Sequence, residues 1–236
     1  MTHDHEEATA ENIKEHFEEV APKYDWYKER AWYYYDWVKK ISRMHIPLAQ
    51  HKRVLELGCG TGDVLAYLNP KYGLGIDISE NMITIAKQKH KGRKNLQFAV
   101  GAGETLNVKG RYDVILMPDV IEHLADVRKT FKRLEALADE KTKIIVTMIN
   151  PIWEPILMAG EKMGRKMPEG PHNRITFKAL RHILADLGLE VACRSFYVFV
   201  PVHIPFVSNP FNAVFNRLPL VRRLGLIEVL EIKKAR

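Results

Sequence analysis

Residues 54–63, Val-Leu-Glu-Leu-Gly-Cys-Gly-Thr-Gly-Asp, combine an apolar run, a carboxylate and three closely spaced glycines. Gly58, Gly60 and Gly62 let the backbone turn tightly and approach a ligand closely, and a helix that follows such a turn offers unpaired N–H groups. Two ligand classes use a turn of this kind. A dinucleotide site wants Gly-x-Gly-x-x-Gly, with its third glycine at position 63, where this chain has Asp63. Glu56, two residues before Gly58, repels a phosphate and suits the cationic end of an amino acid. Asp77, closing the next apolar run, is placed to accept hydrogen bonds from a ribose diol. An amino-acid cation and a ribose occur together in S-adenosylmethionine (SAM), which is the expected cofactor. Two rivals are weighed against it. A nicotinamide-dependent oxidoreductase meets Asp63 and Glu56 as obstacles, and a turn used only for close packing leaves Glu56 and Asp77 unexplained.

A second group of residues offers acid–base chemistry. Asp119-Val-Ile-Glu-His123 follows a later apolar run, and His123 is a candidate general base because histidine titrates near neutral pH. His172, in Pro171-His-Asn-Arg174, is the alternative. A base is required only if the acceptor loses a proton, so a structural role for either histidine stays open. No metal is expected. Cys59 and Cys193 form no Cys-x-x-Cys pair, the acidic residues form no recognisable ligand set, and His3 and His5 sit on an acidic, polar tail.

The elements that must position these groups follow from apolar periodicity. Short apolar runs at 53–57, 73–77, 96–100, 112–117, 143–148, 189–200 and 226–232 read as strands. Between them lie helical patterns, with Ser79, Asp126 and Thr176 as N-caps and Gly188 as a C-terminal stop. Residues 10–20 read as a helix through Ile13, Phe17 and Val20, ended by Ala21-Pro22. Tyr24, Trp26, Tyr27, Trp32, Tyr33, Tyr34, Tyr35 and Trp37 are too dense for one helix face, so some rings must cover something besides the main core. The expected class is α/β: a Rossmann-like, doubly wound, seven-stranded and mostly parallel sheet with helices on both faces.

The 236-residue chain suits one domain with additions, and its 46% hydrophobic and 28% charged content is that of a globular protein. Two cysteines without a pairing pattern fit a reduced, cytoplasmic setting, and the polar N-terminus is no signal peptide. Ser195 to Asn216 lacks Lys, Arg, Asp and Glu, but Pro201, Pro205 and Pro210 would break a spanning helix. A net charge of +7 is compatible with nucleic acid, an anionic membrane surface or an anionic substrate. The densest basic run, Lys87-Gln-Lys-His-Lys-Gly-Arg-Lys94, is expected in a surface loop as a solvated face.

Glu56-Leu-Gly-Cys-Gly-Thr-Gly62, Gly75-Ile-Asp-Ile-Ser79, Gly101-Ala-Gly-Glu104 and Tyr112-Asp-Val-Ile resemble, in order, the motifs of class I SAM-dependent methyltransferases. The likeness, over roughly residues 12–195, is to the type 11 group that contains ubiquinone and menaquinone biosynthesis methyltransferases. The resemblance implies that Glu56, Gly58, Cys59 and Gly60 belong to the methionine end of the site, that Asp77 holds the ribose hydroxyls, and that Ile78 and Met82 flank the adenine. Pro118 and Asp119 would floor the site near the sulfonium. Relatives often carry Gly-Asp-Ala-Glu after the third strand. This chain departs from that pattern, and the adenine edge would fall to the backbone of Ala102 and Gly103 or to the Glu104 side chain. His16 to Asp25 resembles the same group's N-terminal segment, so residues 1–50 are expected to form a helical lid with Tyr24 and Tyr27 as contacts. Residues 51–236 would form the SAM-binding domain, with insertions at about 150–172 and 199–222.

The acceptor would be chosen by Pro151–Gly160 and by Phe196–Leu220, an apolar insertion between the last two strands that ends near Arg217, Arg222 and Arg223. Four uses stay open: a wall for an apolar acceptor, a dock on an anionic membrane, a cover over the core, or a dimer patch. The C-terminal part also resembles bacterial methyltransferases found alongside polyprenyl-phosphate glycosyltransferases. Together these imply a small hydrophobic or lipid-linked acceptor, with peripheral contact at the inner face of the membrane. Methylation of RNA or of a polar small molecule, and a non-catalytic SAM-binding partner, are the alternatives. The absence of an appended RNA-binding module and of an Asn-Pro-Pro-Tyr-like motif argues against a nucleic-acid substrate.

Overall fold

The computed structural model describes residues 8–162, 167–168, 170–173, 175–218 and 221–235. His3, His5, Arg174 and the Pro219–Leu220 end of the apolar insertion lie outside the described residues. Two helices, α1 (Ala10–Arg30) and α2 (Trp32–His45), precede the first strand. Then come β1 (Arg53–Leu57), α3 (Asp63–Leu68), β2 (Tyr72–Asp77), α4 (Glu80–Lys89), β3 (Leu96–Val100), β4 (Val114–Pro118), α5 (Val127–Leu137) and β5 (Lys143–Ile149). The chain ends with α6 (Glu154–Lys162), α7 (Phe177–Asp186), β6 (Leu189–Tyr197), α8 (Ser208–Phe215) and β7 (Ile227–Lys234).

The seven strands form one sheet in the order β3-β2-β1-β4-β5-β7-β6. The first five pair in parallel, and β7 runs antiparallel between β5 and β6. The order reverses between β1 and β4, which opens a crevice beyond their carboxyl ends. With β1 and β4 in register from Val54↔Val114 to Glu56↔Leu116, Gly58 and Asp119, each the first residue after its strand, both fall at this carboxyl end.

Both faces of the sheet are covered, so its strands are continuous apolar runs. On one face, Leu55, Ile115 and Met117 pack with Phe131 and Leu134 of α5 and Leu180 and Leu184 of α7. On the other, Val54, Leu116 and Ile145 pack with Ile41 of α2, Leu65 and Leu68 of α3 and Ile83 of α4. Each fully buried side chain of this size contributes about 1.5–3 kcal/mol relative to exposure.

Most strands start or end within two residues of the expected positions, and three larger differences from the sequence reading have a physical reason. First, α1 does not end at Ala21-Pro22 but continues through Pro22 to Arg30. Proline removes the N–H that would serve the Glu18 carbonyl. Asn81 of α4 supplies the missing donor, its Nδ2 lying 3.3 Å from that oxygen. Second, β6 stops at Tyr197 rather than Val200. Val198 turns out of the strand with φ +63°, and the Asn212 side-chain oxygen takes the N–H groups of Phe199 and Val200 at 2.9 and 2.8 Å. Third, the basic run is not wholly a loop. Lys87 to Lys89 form the last turn of α4, where cations oppose the helix dipole favourably.

Candidate functional site

The β1–α3 turn is built by its glycines. Gly58, Gly60 and Gly62 have φ of +70°, +50° and +81°, a region that side chains disfavour. Space reinforces this requirement. A Cβ on Gly58 would lie 2.4 Å from a methyl of Val120, and one on Gly60 3.1 Å from the Tyr24 ring. The amides of Gly58 and Cys59 both donate to the Ile76 carbonyl, at 2.8 and 3.0 Å, which pins the turn to β2.

Asp77 closes the same arrangement from β2. Its Oδ2 accepts from Gly60 N–H at 2.8 Å and its Oδ1 from Ser79 N–H at 3.0 Å. Burial pushes its pKa up to about 6, against the opposing pull of the Ser79 and Gly60 amides. Glu56 is more extreme. Its side chain is buried, its Oε2 has no hydrogen-bond partner, and burial lifts its pKa to about 8 despite the field of Lys28. Raised carboxyl pKa values mean that ionisation is disfavoured in the fold. Each therefore withdraws stability as pH rises from the ordinary carboxyl range, through about 6 for Asp77 and about 8 for Glu56.

On the N-terminal side, α1 is tied to the turn by charge. Lys28 donates to Asp63 and to Thr61 Oγ1, the latter at 3.1 Å, and Thr61 donates to Asp25 at 2.7 Å. Lys89 bridges Asp63 and Asp25 at 2.7 and 2.8 Å. Burial alone would raise the Asp63 carboxyl, but Lys28 and Lys89 together hold it below its ordinary range. Lys89, expected to be a solvated charge, is instead part of this latch.

Asp119, after β4, adopts φ +50°. Thr147 donates to its Oδ1 and Tyr34 to its Oδ2, both at 2.7 Å. Burial, then the neighbouring Asp119 charge, pushes the Tyr34 and Tyr35 hydroxyls well above their usual range, and burial does the same for Tyr24. These phenols therefore stay protonated, and Tyr34 acts as a donor to a carboxylate.

A single cavity of about 800 Å³ joins these groups. Its lining includes Tyr24, Tyr27, Glu56, Gly58, Cys59, Gly60, Asp77, Ile78, Met82, Ala102, Gly103, Glu104, Pro118, Asp119 and His123. His172 does not line it, and its Nδ1 lies 3.0 Å from the Gly170 carbonyl two residues away. The candidate catalytic role for His172 thus has no support in its position. Glu104 lines the cavity but its carboxylate accepts the Asp126 N–H at 3.0 Å, at the start of α5. The carbonyls of Ala102 and Gly103 accept from the N–H groups of Thr105 and Leu106 at 3.2 and 3.3 Å. His123 packs edge-on against Phe17 at 5.2 Å, and its Nδ1 is 3.2 Å from the Pro171 carbonyl. A carbonyl only accepts, so Nδ1 carries the proton in the neutral ring and Nε2 is its basic nitrogen.

The cavity also has an apolar part, formed by Phe17 of α1, Val38 of α2, Ile156, Leu157 and Met167 after β5, and Pro201, Val202 and Leu226 between β6 and β7, beside charged lining residues that include Lys28, Glu29, Lys39 and Glu122. Ile156, Leu157, Pro201 and Val202 fall in the two segments expected to choose the acceptor. Among the described residues no group of His, Cys, Asp and Glu is arranged to hold a metal ion.

A family model described as a methyltransferase domain matches residues 28–194. A ubiquinone biosynthesis O-methyltransferase of Bradyrhizobium diazoefficiens is 28% identical over 159 residues, which is 63% of this chain and 62% of that protein. One of Rhodopseudomonas palustris is 30% identical over 160 residues, 64% of this chain and 63% of its own. The chain therefore spans less than two thirds of the length of these curated relatives. Among solved structures, a SAM-dependent methyltransferase of Thermotoga maritima superposes with a TM-score of 0.70 at 17% identity, covering 94% of this chain and 99% of that one. A magnesium protoporphyrin IX methyltransferase of Synechocystis with bound SAH gives 0.58 at 20% identity, over 85% and 83% of the two chains. At such identities the likeness speaks for the fold.

Proposed function

The chain belongs to the methyltransferase domain family, and from that premise we propose that it moves a methyl group from SAM to a small, hydrophobic or lipid-linked acceptor. The observation that carries the cofactor assignment is Glu56, a buried carboxyl whose Oε2 lacks any partner at the cavity wall. An unsatisfied buried group of this kind costs about 1–3 kcal/mol. The ammonium of a methionine moiety is a ligand that would satisfy it. Asp77 would hold the ribose hydroxyls with the lone pairs that Gly60 and Ser79 leave over, and Met82 and Ile78 would flank the adenine.

When bound, SAM supplies a methyl group already activated on a sulfonium. The tasks left to the chain are to exclude water, to align the acceptor and, for a hydroxyl acceptor, to take its proton. Tyr34 and Thr147 fix the Asp119 carboxylate at the switch point. His123, with Nε2 as its basic nitrogen, is the titratable candidate for the proton. The apolar wall of Ile156, Leu157 and Val202 favours an apolar acceptor. O-methylation in ubiquinone biosynthesis, the function named for the Bradyrhizobium and Rhodopseudomonas relatives, points the same way. Peripheral contact with an anionic membrane goes with such an acceptor. No helix among the described residues is long and apolar enough to cross a membrane.

Incubation with methyl-labelled SAM and, in parallel, an organic-solvent extract of membranes, total RNA and a water-soluble metabolite fraction tests the acceptor class. Label is expected in the organic phase. Label only in RNA or in the polar fraction would replace the acceptor assignment, and no transfer despite SAM binding would favour a non-catalytic role.

A further inference from the structure

The helix α8 is turned inside out. Its polar Ser208 and Asn212, one turn apart, are completely buried. Ser208 Oγ accepts from Ile204 N–H and donates to the Val202 carbonyl, both at 2.7 Å. Asn212 accepts from Phe199 and Val200 and donates to the Tyr33 hydroxyl at 3.1 Å, so the insertion is bound to α2 through its polar face. The apolar Val207, Phe211 and Val214, at i, i+4 and i+7, face outward and are exposed. Phe206, at the start of the helix, is 98% exposed. A helix packed against a core in water would carry the opposite arrangement.

This face continues to the mouth of the cavity. Trp32, Ile156 and Val202 line the cavity and are themselves half or more exposed, and Trp32 packs on His203 at 5.0 Å. Along the apolar insertion itself the charge has one sign. From Ser195 to Ile227 the chain contains Arg217, Arg222 and Arg223 and no Asp or Glu. The three arginines are exposed beside Leu218 and Leu224.

We propose that the outward face of α8, with Phe206 at its tip, docks on an anionic lipid bilayer and turns the cavity mouth toward the lipid. The proposal rests on the reading of the cavity as a site for an apolar acceptor. Exposed apolar side chains flanked by arginines match the acyl–headgroup boundary of such a surface. A two-fold contact with a second copy fits less well. It would set this acid-free, arginine-bearing patch against itself. Docked this way, an apolar acceptor passes from bilayer to cavity past Trp32, Ile156 and Val202 without crossing water.

The test is co-sedimentation of the full chain with phosphatidylglycerol–phosphatidylcholine vesicles at low salt, beside the thermal response to SAM. Wild type should bind. Phe206→Ser/Val207→Ser/Val214→Ser should bind at least about tenfold more weakly, with the SAM response unchanged. Arg217→Gln/Arg222→Gln/Arg223→Gln should lose the preference for phosphatidylglycerol and its salt dependence. Wild type left in the supernatant, or a triple-serine variant that binds as wild type does, would overturn the docking face. So would a lipid-free dimer that the serine variant makes monomeric while vesicle binding is absent. Vesicle binding through these residues without any response to SAM would sink the cofactor assignment and leave the docking face standing.

Discussion

Asp77→Ala is expected to raise the Kd for SAM about a hundredfold and to lower the melting temperature of the unliganded protein as well. Two separate losses are involved. Within the protein, the amides of Gly60 and Ser79 lose a buried acceptor at 2.8 and 3.0 Å, which costs about 1–3 kcal/mol for each donor left unpaired. At the proposed ribose site, two hydrogen bonds to a carboxylate disappear, each of about 1.5–3 kcal/mol, and 1.4 kcal/mol is tenfold in affinity. Asp77→Asn keeps one acceptor oxygen and should fall between wild type and Asp77→Ala on both measures. Calorimetric titration with SAM, alongside thermal unfolding without ligand, separates the two. SAM affinity unchanged to within about threefold in Asp77→Ala would show that the ribose lies elsewhere.

The second large effect is a pH dependence that Glu56 imposes on binding. With a pKa of about 8 in the free protein, the Glu56 carboxyl carries its proton at neutral pH. Pairing with an ammonium requires the carboxylate, so binding expels that proton. Affinity for SAM should therefore rise about tenfold per pH unit between pH 6 and 8. Above about pH 8 an α-amino group itself begins to lose its charge, so affinity peaks there. Titrations in buffers of different ionisation enthalpy should report release of close to one proton near pH 6.5. Glu56→Gln cannot ionise. It should bind at least about tenfold more weakly at pH 8 and show little slope below it. A flat profile in wild type, or the same slope in Glu56→Gln, would remove Glu56 from the ammonium site.

What the sequence reveals about this chain is what short stretches decide. Each of the first four parallel strands is an apolar run that ends at a glycine or a carboxylate, and these local signals place Glu56, Gly58, Asp77 and Asp119 along the carboxyl edge of the sheet. The helix caps at Ser79, Asp126 and Thr176 are local too, and each accepts the expected backbone N–H. The remainder depends on partners far apart in the chain. Pro22 stays inside α1 because Asn81 arrives from another helix to serve the Glu18 carbonyl. Lys28, Asp63 and Lys89 become a latch only when α1 and α4 meet over the turn. Tyr34 reaches Asp119 across 85 positions, a pairing that no spacing rule announces. The aromatic density of 24–37 was visible, but which rings face the cavity was not. The apolar insertion misleads for a further reason. The sequence shows an apolar stretch without a helix in it, and only the burial of Ser208 and Asn212 shows which face of α8 points outward.

The most direct test of the SAM assignment compares the melting temperature of the full chain alone and with SAM, S-adenosylhomocysteine or NAD(P)H. A ligand present at 100 times its Kd adds about 2.7 kcal/mol of stability, roughly 5–10 °C for a chain of this size. SAM and S-adenosylhomocysteine should both produce such a shift and NAD(P)H none. Stabilisation by NAD(P)H with no response to SAM would contradict the account.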